Sequence, residues 1–131
     1  MKQFIVLTLL LLSISAFKWV EESPSNDAQV LVGTWKLDMT PQDLTDDNFA
    51  SMRIKKIKGN SFTGEFYRKG VKIKHGQINT QTGVIYGALV SGDNSGSYHT
   101  SFFYKDGKLY GTTHAIEKQF LSVWTATKID Q

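Results

Sequence analysis

The sequence has no cysteine, only 2 prolines and only 3 histidines among its 131 residues. Without cysteine it forms no disulfide, thiolate metal site or thiol nucleophile, which excludes zinc fingers, Fe–S proteins and cysteine hydrolases. The sequence also lacks a large excess of one charge, because 15 basic and 12 acidic residues leave a net charge of only +3. That surplus is small for a dedicated nucleic-acid-binding protein, so we expect no nucleic-acid partner. Hydrophobic residues make up 40% of the chain, enough for the core of one domain.

Long hydrophobic runs are lacking except at the N-terminus. Lys2 precedes the run Phe4–Leu12, whose only polar residue is Thr8, and Ser13–Ala16 supplies small residues suited to signal-peptidase cleavage. A membrane-spanning helix needs about 20 apolar residues, and this run is roughly half as long. The pattern predicts a signal peptide over residues 1–16, no membrane span, and a secreted or periplasmic location. The absence of disulfides favours a bacterial periplasm or exterior over animal secretion.

Residues 17–31 are predicted to form a flexible leader, and residues 32–131 a single barrel domain. In this domain, short apolar runs alternate with turn residues, and a glycine lies in every turn but the last, as in antiparallel hairpins. The predicted strands are Gly33–Met39, Ser51–Ile57, Ser61–Tyr67, Val71–Asn79, Val84–Val90, Ser97–Tyr104, Lys108–Ile116 and Gln119–Lys128. Eight short strands without a long crossover predict an all-β fold, an eight-stranded antiparallel up-and-down barrel, with a two-sheet sandwich as the alternative.

Two local features refine this prediction. Thr40–Asp43 combines a capping residue, a proline and an acid before Leu44–Ala50, which predicts a short helix after the first strand. Gly64, Gly87 and Gly111 recur at spacings of 23 and 24 residues within predicted strands. Mid-strand glycines at equivalent points are typical of a sheet that bends to close on itself.

Three segments of the chain resemble a known superfamily. Gly33-Thr34-Trp35 resembles the opening of calycins, which include lipocalins, fatty-acid-binding proteins and avidins. Phe62-Thr63-Gly64-Glu65-Phe66 is similar to a Thr-Gly-x-Tyr strand of avidins, and Trp124-Thr125-Ala126-Thr127 is similar to their last strand. The resemblance implies a calycin-like barrel with a ligand cavity.

The residues with which avidins hold biotin do not carry over. Avidins place Asn and Ser two and six residues after the opening Trp, where this chain has Leu37 and Pro41, and their strand tyrosine corresponds to Phe66. Since a site built for a ureido group needs these donors, the resemblance implies the scaffold without biotin binding.

Aromatic residues at period-two spacing are the candidate ligand-binding residues. They are Trp35, Phe66, Tyr86, Tyr98, Phe102, Tyr104 and Trp124. These rings predict either an aromatic-lined cavity or a barrel interior that they simply fill. The seventh strand is ambiguous, because its inward face consists either of Leu109, Gly111 and Thr113 or of Tyr110, Thr112 and His114.

Basic residues are concentrated between positions 53 and 74, where eight of them against Glu65 alone give a local net charge of +7. The candidate polyanion-binding residues among them are Arg53, Lys55, Arg68, Lys72 and Lys74. This distribution predicts either a face that holds a polyanion or a solvated outer barrel face.

No motif indicates catalysis, a cofactor or a metal. His75, His99 and His114 fall on three strands without chelating spacing, and no Gly-x-Ser-x-Gly elbow is present. The glycine-rich Ser91–Ser97 precedes a strand and not a helix, which favours a hairpin tip over a phosphate loop.

We therefore expect an exported, non-enzymatic β-barrel that binds a small apolar or aromatic molecule. The alternative is a surface-interaction protein that binds polyanions or a protein partner through the basic face, with a filled barrel. The late strands are apolar on both faces, from which we also expect a homo-oligomer.

Overall fold

A computed structural model describes residues 27–40 and 49–130 of the chain. Eight antiparallel strands follow one another around a closed barrel, and the last strand pairs with the first. The strands are β1 (Gly33–Asp38), β2 (Phe49–Lys58), β3 (Ser61–Tyr67), β4 (Lys74–Asn79), β5 (Tyr86–Asp93), β6 (Gly96–Lys105), β7 (Lys108–Ala115) and β8 (Phe120–Asp130). The predicted fold class is confirmed, and the architecture is compatible with a calycin-like barrel.

Six strands agree with the prediction to within two residues at each end, but β4 begins at Lys74 and not at Val71, and β5 runs from Tyr86 to Asp93 and not from Val84 to Val90. Val71 instead belongs to a tight connection, since its carbonyl accepts from Phe66 N at 2.9 Å. His75 then adopts a left-handed conformation with φ of 53°. As a result β3 and β4 share only two register pairs, Ser61 with Gln77 and Phe62 with Gly76, and form the shortest ladder of the barrel.

The predicted signal peptide and the predicted short helix lie outside the described residues. Residues 1–26 and 41–48 are not described, whereas Phe49 and Ala50 at the end of the predicted helix belong to β2 and pair with Asp38 and Leu37.

One end of the barrel is closed by a 3₁₀ turn, Ala28–Leu31, capped by the Asp27 carboxylate on Gln29 N at 2.9 Å. Leu31 is fully buried, and its carbonyl accepts from Trp35 Nε1 at 2.8 Å. Lys128 Nζ donates to the Val30 carbonyl at 2.7 Å. Residues 28–31 are therefore packed against the barrel, which corrects the part of the predicted flexible leader that the structure describes.

Large rings fill the middle of the barrel, and glycines in register with them on the neighbouring strands leave room for them. Trp124 is fully buried, with its ring centroid 6.1 Å from that of Phe66 and 6.4 Å from that of Phe102. A Cβ at Gly111 would lie 2.3 Å from the Trp124 ring, and one at Gly87 would lie 2.3 Å from the Phe102 ring. These mid-strand glycines allow the close approach of rings inside the barrel.

The inward face of β7 is now fixed. Leu109, Gly111 and Thr113 are buried, while Tyr110 and His114 face outward.

Candidate functional site

A cavity of about 460 Å³ opens at the end of the barrel opposite the 3₁₀ turn. We call it the mouth. Its inner wall consists of side chains that strands β3, β6, β7 and β8 direct inward, namely Phe66, Tyr98, Thr113, Ala115 and Ser122. Its rim consists of residues at strand ends and turns, namely Met39, Phe49, Ala50, Tyr67, Arg68, Lys118 and Phe120. A small molecule of mixed apolar and polar character fits a cavity of this size and composition.

The floor of the mouth is a hydrogen-bonded layer. Thr113 Oγ1 accepts from Trp124 Nε1 at 3.0 Å and lies 2.9 Å from Thr100 Oγ1. All three residues are buried. Because the indole N–H and the threonine hydroxyls satisfy one another, the floor is fixed without a ligand.

The hydroxyl of Tyr98, on the inner wall, is hydrogen-bonded to polar residues at the rim of the mouth. It accepts from Lys118 Nζ at 3.0 Å and lies 2.8 Å from Ser95 Oγ. The hydrogen bond with Ser95 lowers the pKa of Tyr98 most, and the bond from Lys118 lowers it further. The Lys118–Tyr98 bond in turn raises the pKa of Lys118. Lys118 is therefore a fixed positive charge beside the cavity at neutral pH.

Asp93 anchors the rim on the other side of this tyrosine. Its carboxylate accepts from the hydroxyls of Tyr67 and Ser95, and Arg68 Nη2 lies 3.4 Å from it. The hydrogen bonds from Ser95 and then from Tyr67 hold the pKa of Asp93 well below its usual range. The bond to Asp93 raises the pKa of Tyr67 to about 12. Among the described residues of this rim, one carboxylate therefore faces two cations, Arg68 and Lys118.

Of the seven predicted ligand-binding aromatics, only Phe66 and Tyr98 line the mouth. The others that point inward, Trp35, Phe102, Tyr104 and Trp124, belong to or pack against the core below it. Tyr86 is placed outside the barrel with 47% of its surface exposed, which corrects its assignment to the interior set. Its neighbour Gly87 takes the inward position opposite Phe102.

Sequence reasoning missed Lys118, Thr113, Ala115 and Ser122 as mouth residues. The parity of β7 and β8 would have identified three of them, since Ala115 is in register with Tyr98, and Thr113 with Ser122. Lys118 lies in the turn between these strands and carries no local signal.

The candidate polyanion-binding residues divide into two sets. Lys55 is paired with Glu65 at 3.1 Å, and Arg53 is exposed on the same strand, β2. Arg68, Lys72 and Lys74 lie instead beside the mouth, where they line, with Lys69, a groove of about 500 Å³ that also contains Asp93. We call this the basic groove.

The three histidines lie closer together than their sequence positions suggest. His99 and His114 are direct partners on β6 and β7, and His75 lines the same shallow outer groove. Within residues 27–40 and 49–130, no group of three or more His, Cys, Asp or Glu side chains is placed to hold a metal ion.

Among the described residues no helix is long and apolar enough to cross a membrane. Comparison with protein-family models, with curated proteins and with solved structures found no match to this chain.

Proposed function

We propose that the protein is an exported, non-enzymatic binding protein that holds a small apolar or aromatic molecule bearing an acidic group in the mouth. The mouth itself is the observation that supports this: a cavity with Phe66, Ala115 and Met39 on its apolar side and Lys118 on its polar side. Apolar walls favour a ligand with a hydrocarbon chain or ring. The ammonium group of Lys118 beside Tyr98 favours a ligand whose polar group is a carboxylate over one whose polar group is a cation.

The matched pair dodecanoate and dodecanol tests this function by thermal shift and calorimetry. Dodecanoate at about 100 times its dissociation constant should stabilise the fold by roughly 2.7 kcal/mol. Lys118→Met should weaken dodecanoate binding about tenfold or more and change dodecanol binding much less, because only the carboxylate forms an ion pair with the ammonium group. Lys108→Met, an exposed lysine on the hairpin at the closed end, is the matched control.

The second arm of this experiment is a variant in which a larger side chain fills the mouth. Ala115→Phe places a ring in the cavity and should abolish the binding of both compounds, with circular dichroism to verify that the barrel is intact. If neither compound stabilises the wild-type protein, or if Lys118→Met binds dodecanoate as tightly as the wild type, the proposal is wrong.

The basic groove favours a second candidate function, the binding of polyanions. Arg68, Lys69, Lys72 and Lys74 surround one depression in which Asp93 is the only acid that lines it among the described residues. Retention on heparin that falls steeply with salt and is lost in Lys69→Ser/Lys72→Ser would support this function. Elution of the wild type at low salt, together with dodecanoate binding, would leave the mouth as the functional site.

Export and self-association remain predictions, each with a direct test. Cleavage after Ala16 should shorten the exported chain to the mass of residues 17–131, whereas a chain lacking residues 2–16 should stay in the cytoplasm. Leu121, Val123 and Ile129 expose about 60% of their surfaces on β8, the face from which a homo-oligomer through the late strands is expected. A clean monomer in sedimentation at micromolar concentration would refute that expectation.

A further inference from the structure

A second depression lies on the outer face of β4 to β8, away from the mouth and near the closed end. It is a groove of about 720 Å³. Along one cross-strand row Tyr86 pairs with Phe103, and Phe103 with Tyr110. The rings of Phe103 and Tyr110 are stacked, 15° from parallel with centroids 5.2 Å apart, and the ring of Tyr86 is 6.1 Å from that of Phe103. Three outward rings thus form a continuous aromatic platform.

This platform is open to solvent in the part of the chain that the structure describes. Tyr86 is 47% and Tyr110 36% exposed. Neighbouring strands are 4.7–4.9 Å apart, so the platform extends about 10 Å from Tyr86 to Tyr110, long enough for a short oligosaccharide.

Around the platform the groove is uncharged, and it is lined by the apolar side chains of Ala88 and Val123 together with polar side chains. The side-chain amides and hydroxyls that line it belong to Asn60, Gln77, Asn79, Ser101, Thr112 and Thr125. Ser101 and Thr112 form the row beside the platform, with their hydroxyls 3.3 Å apart, and the Asn79 side chain is fixed by the bond that its Oδ1 accepts from Gln81 N at 2.9 Å.

No described residue that lines this groove carries a formal charge, although 21% of the chain is charged. A charged ligand would find no counter-charge here, and a purely apolar partner would bury the amides and hydroxyls without hydrogen bonds, which is costly. A neutral sugar matches both the aromatic and the polar parts of the groove. Its C–H face packs on aromatic rings, whose π faces are electron-rich, and its hydroxyls exchange hydrogen bonds with amides and hydroxyls.

We propose that this outer groove binds a neutral oligosaccharide, stacked on Tyr86, Phe103 and Tyr110 and hydrogen-bonded by the surrounding amides and hydroxyls. The site is independent of the mouth, because the two cavities share no lining residue.

Four neutral hexasaccharides, cellohexaose, laminarihexaose, xylohexaose and mannohexaose, are the probes, with affinity measured by calorimetry. At least one should bind the wild-type protein, and Tyr86→Ala and Tyr110→Ala should each weaken it about tenfold or more. Tyr110→Phe, which keeps the ring, should retain most of the affinity. Phe120→Ala is the matched control, since this exposed ring lines the mouth and not the groove.

The same variants separate this proposal from the proposed function. Tyr110→Ala should bind dodecanoate as the wild type does, and Lys118→Met should bind the hexasaccharide unchanged. The proposal is overturned if no probe binds at millimolar concentration, or if Tyr110→Ala binds it as tightly as the wild type. It is also overturned if the wild type is a dimer that dissociates in Tyr110→Ala, because a second copy of the chain would then occupy the groove.

Discussion

Gly111→Ala tests whether the interior of the barrel is as tightly packed as the structure shows. The added methyl group would lie 2.3, 2.5 and 2.6 Å from three atoms of the Trp124 ring. This ring cannot retreat, because it is fully buried, packs against Phe66 and Phe102, and donates its N–H to Thr113 at 3.0 Å.

The expected loss follows from two opposing effects. Overpacking a close-packed core costs about 1–3 kcal/mol. Replacing a strand glycine by alanine gains about 0.5–1 kcal/mol when nothing obstructs the methyl group. An approach of 2.3 Å to a ring that cannot move puts the overpacking cost near the upper end of its range, about 3 kcal/mol, so we expect a net loss of about 2 kcal/mol in the free energy of unfolding. Each kcal/mol lowers the Tm of a domain of about 100 residues by about 4–8 °C. Without the clash, the substitution would raise the Tm.

A double-mutant cycle with Trp124→Phe isolates the contact. Trp124→Phe removes the outer ring atoms that the methyl group meets and should itself cost about 2 kcal/mol through the cavity that it leaves. In this background Gly111→Ala should cost less than about 0.5 kcal/mol, so the coupling should exceed 1 kcal/mol. Urea and thermal unfolding followed by far-ultraviolet circular dichroism measure all four proteins. Additive losses would refute the packing that the structure shows.

Three further predictions concern the rim and the β3–β4 ladder. The lowered pKa of Asp93 means that the unfolded chain binds more protons than the folded one, so the free energy of unfolding falls as the pH drops below about 4. Asp93→Asn should flatten this pH dependence in urea unfolding. A pH dependence equal to that of the wild type would contradict the prediction. In ultraviolet titration, Tyr67→Phe should remove the phenolate signal near pH 12, and Tyr98→Phe should remove signal below pH 10, whereas unchanged curves would disprove the rim contacts. In hydrogen exchange, β4 should exchange faster than β7, because β3 and β4 share two register pairs while β6 and β7 share eight; equal protection would argue against a weak ladder.

The strands and their order could be predicted from the sequence because the signals are local. Lys105-Asp106-Gly107 shows how: Gly107 has φ of 80° in the structure, the conformation that a tight hairpin turn requires and glycine adopts without strain. The largest exceptions are the end of β5, which extends to Asp93 and not to Val90, and the start of β4. Val71 looked like a strand residue, but its carbonyl bonds to Phe66 and His75 is left-handed, both of which depend on how β3 and β4 meet.

The candidate site could be predicted only in part, because its residues meet through the closure of the barrel. Tyr98 and Lys118 are twenty residues apart, and their contact exists only because the β7–β8 turn folds back over β6. The filling of the other end depends on the 3₁₀ turn, whose buried Leu31 packs into the core there. The polar stretch Glu21–Gln29 predicts a flexible leader over residues 17–31, so neither fact is visible in a local pattern.

The recurring Tyr-Gly pair links the closed interior to the outer groove. In Tyr86-Gly87 and Tyr110-Gly111 the glycine faces inward and makes room for the ring in register with it on the neighbouring strand, Phe102 or Trp124. Successive strand residues face opposite sides of a sheet, so each tyrosine must then point outward. Because the strands are in register through Phe103, the two tyrosines fall in one row, and the spacing that closes the barrel also builds the aromatic platform outside it.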